Sequence, residues 1–196
     1  MTKAKGNNFE RLICKKLSMW WSQGERDDIF WRSATSGGMA KVRSKQGKKT
    51  FGQYGDIQAT DPIGQPLIDL CAIELKRGYK RNNIADVLDK MPNSSIQEWE
   101  KWVFQVMEDV GNAGVPYWML ITKRDGRTPL IFMPYGLFQF FTLSGSAQLK
   151  ISRPYVIINP VKIKDQEKIG KVFGTTLKEF FKNVHPDSII AHTRKG

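Results

Sequence analysis

Residues 54–78, YGDIQATDPIGQPLIDLCAIELKRG, constrain the fold most, because a largely apolar run from Leu67 to Ile73 ends in Glu74-Leu75-Lys76. Such a run reads as a buried strand. Side chains alternate faces along a strand, so Glu74 and Lys76 share a face with Ala72, while Leu75 points the other way into packing. A buried face carries a carboxylate and an amine only when each has a partner. Asp56 opens the preceding apolar stretch. The segment from Thr60 to Pro66, with Pro62 and Gly64 between, predicts a turn joining strands of roughly 56–60 and 67–76. That hairpin brings the Asp56 carboxylate toward Glu74.

Two carboxylates at one strand edge repel unless a cation sits between them, and hard oxygen donors suit Mg²⁺, with Mn²⁺ as a substitute. A neighbouring amine can hold and orient a water, or stabilise charge growing at phosphorus. The combination suits metal-assisted phosphodiester hydrolysis. Glu and Lys are common residues, however, and an ordinary ion pair at a sheet rim explains Glu74 and Lys76 equally well. The spacing alone leaves both readings open.

Around this stretch the periodicities give an α-β-β-β-α-β order. Phe9, Leu12, Ile13, Leu17, Trp20 and Trp21 recur at helical spacing over about 7–22, with Asn7 available as a cap and Gly24 as a stop. Asp28 to Ser33 reads as a short strand. Gly37 to Gly55 holds five basic residues and five glycines, a loop signature. Ser95 and Glu98 have capping-box spacing ahead of the apolar stripe Ile96, Trp99, Val103, Val106 and Val110, which Gly111 and Gly114 end. Tyr117 to Lys123 and Leu130 to Met133 read as strands joined at Asp125-Gly126. An aromatic segment (Leu137 to Leu143), a strand (Tyr155 to Ile158) and a helix (about Thr175 to Val184) follow. No internal repeat is visible.

Length and charge narrow the class. The 196 residues fit one domain. The division expected is a core of about 5–134 and a C-terminal α/β extension of about 135–196. Thirty-one Lys and Arg against 19 Asp and Glu leave a net charge of +12. The excess is uneven: residues 1–53 hold 12 basic and 4 acidic side chains, whereas 86–109 hold 2 and 6. A one-sided positive field suits nucleic acid, although a basic soluble protein has the same composition. The longest apolar run, Val115 to Ile121, is far short of a membrane span, and the N-terminus lacks the apolar stretch of a signal peptide. These features lead us to expect a cytoplasmic protein that does not enter membranes. Cys14 and Cys71, each in an apolar segment, read as reduced core thiols. With both histidines near the C-terminus, a zinc site is not expected.

The segments GNNFERLICKKL, WRSATSGG, YGDI and IELK occur in the order found in PD-(D/E)XK nucleases. They resemble most the archaeal-type Holliday junction resolvases and their phage relatives. The resemblance runs over roughly Lys5 to Lys123. It implies a restriction-endonuclease-like α/β fold, with a central mixed sheet flanked by helices. It also implies Asp56 and Glu74 as metal ligands, Lys76 as the water-orienting residue, Glu10 as an outer ligand or metal-water contact, and Ser36 as an accessory residue on the phosphate side. If the chain is phage-encoded, its place is the host cytoplasm.

Some residues keep two readings. Glu10 stands three residues after Asn7, so it can equally bond the backbone of a helix start. Gln105, off the apolar stripe, matches a glutamine that some superfamily members direct at the site, and is equally a solvated surface residue. Trp20, Trp21, Trp99 and Trp102 read as core. Lys41, Arg43, Lys45, Lys48 and Lys49, just before the proposed metal residues, are expected to contact phosphate. Arg77, Lys80 and Arg81 form a second basic cluster, and Arg32 is either a phosphate ligand or an ion-pair partner. The reading is a Mg²⁺-dependent DNA endonuclease acting on branched DNA, expected as a homodimer because paired nicks need two sites. Its alternatives are a linear-duplex endonuclease or exonuclease of the same fold, a catalytically silent nucleic-acid-binding module, and a basic scaffold protein.

Overall fold

The computed structural model describes residues 3–33, 55–78, 84–89, 91, 95–143, 155–158, 161–163 and 166–193. Helix α1 (Lys3–Trp21) opens the chain and ends at Gly24, whose φ of 99° allows the closing bond from its N–H to Met19 O at 2.7 Å. Strand β1 (Phe30–Arg32) pairs antiparallel with β2 (Ile57–Ala59). Ser18 on α1 ties the pair to the helix by accepting the Phe30 N–H at 2.9 Å. A short 3-10 turn (Pro62–Gly64) and helix α2 (Gln65–Leu70) lead into β3 (Cys71–Arg77). After α3 (Ala85–Leu88) comes the long helix α4 (Glu98–Ala113), then β4 (Tyr117–Lys123), β5 (Leu130–Pro134) and α5 (Tyr135–Leu143). Strands β6 (Val156–Ile158), β7 (Val161–Ile163), β8 (Gln166–Ile169) and β9 (Val172–Thr176) precede α6 (Leu177–Asn183) and α7 (Asp187–Thr193).

The central sheet has five strands in the order β3-β4-β5-β9-β6, and β7 with β8 forms a separate ribbon. Strands β3 and β4 are parallel and the remaining pairs antiparallel, so the sheet is mixed. The parallel pair needs a crossover, and α4 supplies it. On one sheet face Phe9, Ile13 and Leu17 of α1 pack with Ile73, Leu75, Ile121 and Phe180. On the other, Trp99, Trp102, Val103 and Val106 of α4 pack with Ala72, Trp118, Leu120 and Phe132. The residues after 134 contribute β9 and β6 to this sheet.

Several sequence expectations shift. Leu67 to Leu70 is helix, not the start of the strand: Asp61 caps the preceding turn by accepting the Ile63 N–H at 3.0 Å, and Pro66 stands in the first turn of α2, where its missing N–H costs nothing. The expected hairpin between 56–60 and 67–76 therefore does not form, and β2 pairs with β1 instead. Helix α1 begins at Lys3, so Asn7 lies inside it and caps nothing. The start of α4 falls two residues beyond the expected cap: Gln97 is the cap residue, and its N–H donates to Glu100 Oε2 at 2.8 Å. The helix passes through Gly111 and stops at Gly114, which is left-handed with φ 70°. Strands β7, β8 and β9 and helix α7 are additions. Thr176 caps α6 by accepting the Glu179 N–H at 3.1 Å, which frees Val172 to Thr176 for the sheet.

Candidate active site

The site forms at the C-terminal end of β3, where that strand's two faces part company. Cys71, Ile73 and Leu75 point into the cluster against α1, as the alternation requires, while Ala72 points into the α4 cluster. Glu74 and Lys76, on Ala72's face, meet Gln105 of α4. Glu74 Oε1 receives Lys76 Nζ at 2.6 Å and Gln105 Nε2 at 2.8 Å. Lys76 Nζ also donates to Gln105 Oε1 at 2.9 Å, which closes a three-residue ring. Glu74 is 3% exposed, so this ring supplies the partners that burial demands.

Asp56 arrives by a different route from the expected hairpin. Its N–H donates to Ile73 O at 2.8 Å, and its Oδ2 accepts the Leu75 N–H at 2.8 Å, so backbone and side chain both grip β3. Gly55 makes the approach possible. It has φ 76°, and a Cβ there would lie 2.7 Å from Ile73 O, a distance no side chain tolerates. Ser33 holds the same corner: its N–H donates to Asp56 O and its Oγ to Gly55 O, both at 2.9 Å. Nothing in the sequence marked Ser33, because its partners are main-chain oxygens more than twenty residues away.

The carboxylates of this site act on one another by repulsion, which Lys76 only partly offsets. The Asp56 carboxyl is pushed up to about 8, first by burial, then by the Glu74 charge, with Glu10 adding to the rise; the Leu75 N–H and Lys76 pull it back. The Cys14 thiol is pushed up to about 12 by burial, then by Glu10 and Asp56, and the wholly buried Cys71 is also raised by burial. Both are free thiols and stay protonated. Glu10 lies near Arg32, with Oε2 3.6 Å from Nε, and since Asn7 is within α1 the capping alternative for Glu10 falls away.

Of the expected basic residues, Arg32 faces Glu10. Arg77 sits 3.8 Å from Asp125 and 6.0 Å from the centroid of the Phe9 ring. Ser36, Lys41, Arg43, Lys45, Lys48, Lys49, Lys80 and Arg81 lie outside the described residues. Trp21, Trp99 and Trp102 are core, and Trp20 packs against it. Gln105 is the residue the sequence left undecided, and its two bonds put it in the ring.

The sequence model of the family described as "Phage putative PDDEXK endonuclease" matches residues 1–191. The chain belongs to this family. No curated protein and no solved structure matches it. Membership in the PDDEXK family supports a nuclease with nucleic acid as its substrate, and the mixed five-stranded sheet flanked by helices agrees with a restriction-endonuclease-like fold. Among the described residues, no helix of this PDDEXK chain is long and apolar enough to cross a membrane.

Nucleases of this superfamily typically use a divalent metal. Among the described residues, no three His, Cys, Asp or Glu side chains stand as a ready metal cluster. The chemistry of the donors nonetheless fits a hard cation. Asp56 holds its proton toward neutral pH first because it is buried, and then because Glu74 and Glu10 supply negative charge that Lys76 does not cancel. A divalent ion bound there would take the place of that proton among oxygen donors.

Proposed function

We propose that this PDDEXK nuclease is a Mg²⁺-dependent DNA endonuclease selective for branched DNA, in the manner of Holliday junction resolvases, with Mn²⁺ as an accepted substitute. The observation that carries the reading is two buried carboxylates held at the end of β3 beside an amine: Asp56 Oδ2 accepts the Leu75 N–H at 2.8 Å and Glu74 Oε1 receives Lys76 Nζ at 2.6 Å. Asp56 and Glu74 would hold the metal, and Glu10 would contact it from outside. When bound, the ion supplies charge neutralisation at the phosphate and a more acidic water.

The chain's own residues do the remaining work. Lys76 Nζ, fixed by Glu74 and Gln105, orients the attacking water and stabilises charge at phosphorus. Gln105 keeps that amine from swinging into solvent. Ser33 and Gly55 hold the Asp56 carboxylate against β3. The branched-substrate preference rests on the resemblance of the N-terminal segments to resolvases. It favours a homodimer, in which two copies of the site make paired nicks. The whole chain is read as one domain working in the host cytoplasm, with the basic residues of 41–49, Ser36, Arg32, Arg77, Lys80 and Arg81 meeting the DNA backbone.

Linear, single-stranded, flap and four-way DNA cleaved side by side, with Mg²⁺ and with EDTA, tests this. Preferred cleavage of the four-way substrate, with Mg²⁺ only, is expected. Equal cleavage of linear duplex would replace the junction preference with a linear-duplex endonuclease. DNA binding without cleavage of any substrate would leave a silent binding module.

A further inference from the structure

A groove of about 1000 Å³ opens between α1 and α6. Its floor carries Trp20 and Phe181, stacked with centroids 5.4 Å apart and planes at 23°. Trp20 is fixed there, its Nε1 donating to Val184 O at 2.8 Å. Lys15, Lys16, Lys178 and Lys182 also line the groove, and all four are exposed. Among the described residues, the acidic side chain lining it is Asp27, already bonded to Lys15 at 2.9 Å. Three lysines thus remain in excess of the one neutralised pair, and the groove favours a polyanion.

Its position connects it to the chemistry. Lys15 and Lys16 follow Glu10 on α1 by about 8 Å of helical rise. At its other end the groove reaches Thr128 in the β4–β5 turn. Thr128 also lines a cavity of about 270 Å³ that extends to Lys76 and includes Lys123, Arg124 and Arg127. Basic side chains therefore accompany the surface from the groove to the proposed water-orienting lysine.

A positively charged groove floored by aromatic rings is the arrangement that takes single-stranded nucleic acid: cations follow the backbone, and unpaired bases stack on the rings. A duplex keeps its base faces stacked inside and cannot use them. We propose that this groove binds an unpaired stretch of the nucleic-acid substrate, phosphates on Lys16, Lys178 and Lys182 and bases against Trp20 and Phe181, with the strand passing Thr128 toward Lys76. This deepens the nuclease reading and rests on it.

The test is binding of a labelled oligothymidylate of about 10 nucleotides to the full chain in EDTA, where no cleavage occurs. Reversing Lys16, Lys178 and Lys182 to Glu should weaken binding by about tenfold or more and reduce the salt slope by about 2, since each single-strand phosphate contact contributes about 0.7. Phe181→Leu should weaken it by about fivefold or more with the slope unchanged, while affinity for a duplex of the same length changes little. The three lysines are exposed, so the charge variant should fold even if Phe181→Leu does not. Unchanged oligothymidylate binding in the charge variant overturns the proposal. So does equal weakening of single-strand and duplex binding by Phe181→Leu. A poly-glutamate peptide that binds through these lysines while oligothymidylate does not would make the groove a seat for an acidic protein, and also overturns it. The two readings fail separately: a parent that binds oligothymidylate through the lysines but cleaves nothing with Mg²⁺ refutes the nuclease site and leaves the groove standing.

Discussion

The two faces of β3 follow one backbone and one ladder of bonds to β4, yet they are built for different ends. Toward α1 the strand offers Cys71, Ile73 and Leu75, which join one apolar cluster with Phe9, Ile13 and Leu17. Toward α4 it offers Ala72 and then Glu74 and Lys76, closed by Gln105 rather than by apolar packing. The first face gains stability from area removed from water. The second must satisfy every buried polar atom merely to break even, and an apolar replacement of the whole ring would stabilise at least as well. The same strand thus stabilises the fold on one side and carries a buried polar ring, the proposed catalytic groups, on the other, and substitutions on the two sides should separate those roles.

The largest effect expected is on the polar face. Glu74→Gln removes a proposed metal ligand and the anion that holds Lys76, so cleavage should fall below detection in a gel assay while the chain still folds. On the apolar face, Leu75→Ala should lower stability by about 2–5 kcal/mol, read as a shifted denaturant midpoint. Any activity it loses should return under conditions where it is folded. If Glu74→Gln unfolds the chain and Leu75→Ala is silent, the contrast between the faces is wrong.

Gln105→Ala sharpens the comparison, since it frees Lys76 without removing a charge. A loss of cleavage of about 10–100-fold is expected, as for groups that orient metal-site residues. Full activity in Gln105→Ala would return Gln105 to the surface reading. Glu10→Gln should cost less, about tenfold, because Glu10 acts on Asp56 from α1 through its charge and is itself paired with Arg32.

The pH dependence follows from Asp56. Its carboxyl is raised in the fold, from 3.8 to about 8. The folded chain therefore keeps a proton that the unfolded chain releases above about pH 4. The part of the metal-free protein's stability that Asp56 contributes should be complete below about pH 4 and be lost as pH rises from there through about 8. Asp56→Asn should flatten that fall, and its melting temperature should exceed the parent's most clearly above pH 8. Because a bound cation displaces the same proton, apparent Mg²⁺ affinity should rise with pH up to about 8. Titrations at pH 6 and 8 with matching affinities would exclude Asp56 as a ligand.

Strict alternation made β3 legible in the sequence: one glance at Glu74-Leu75-Lys76 gives the two faces. Strand β4, seven apolar-rich residues between a proline and a turn, was equally plain. Short elements were not. Helix α2 has six residues, too few to show a helical period, and its Leu67 and Leu70 run into Cys71 without a break. At α4 two cap patterns overlap within three residues, Ser95 with Glu98 and Gln97 with Glu100, and only packing of Trp99 and Trp102 selects the second. Strand β9 was hidden because Gly174 weakens any strand pattern. In the fold it is required, since a Cβ there would lie 2.5 Å from the Phe132 ring. At the site, the alternation showed that Glu74 and Lys76 share a face. Gln105 was left between the site and the surface and Ser33 went unmarked, because what decides each is which distant groups it meets.

The central claim is that Asp56 and Glu74 share a divalent ion beside Lys76. Its most direct test is the melting temperature of the parent and of Asp56→Asn, each with EDTA and with millimolar Mg²⁺, run beside one gel of cleavage products. Mg²⁺ should raise the parent's melting temperature by mass action, raise the variant's less, and support cleavage by the parent alone. A parent indifferent to Mg²⁺ in both assays would contradict the claim and leave Glu74 and Lys76 as an ordinary ion pair.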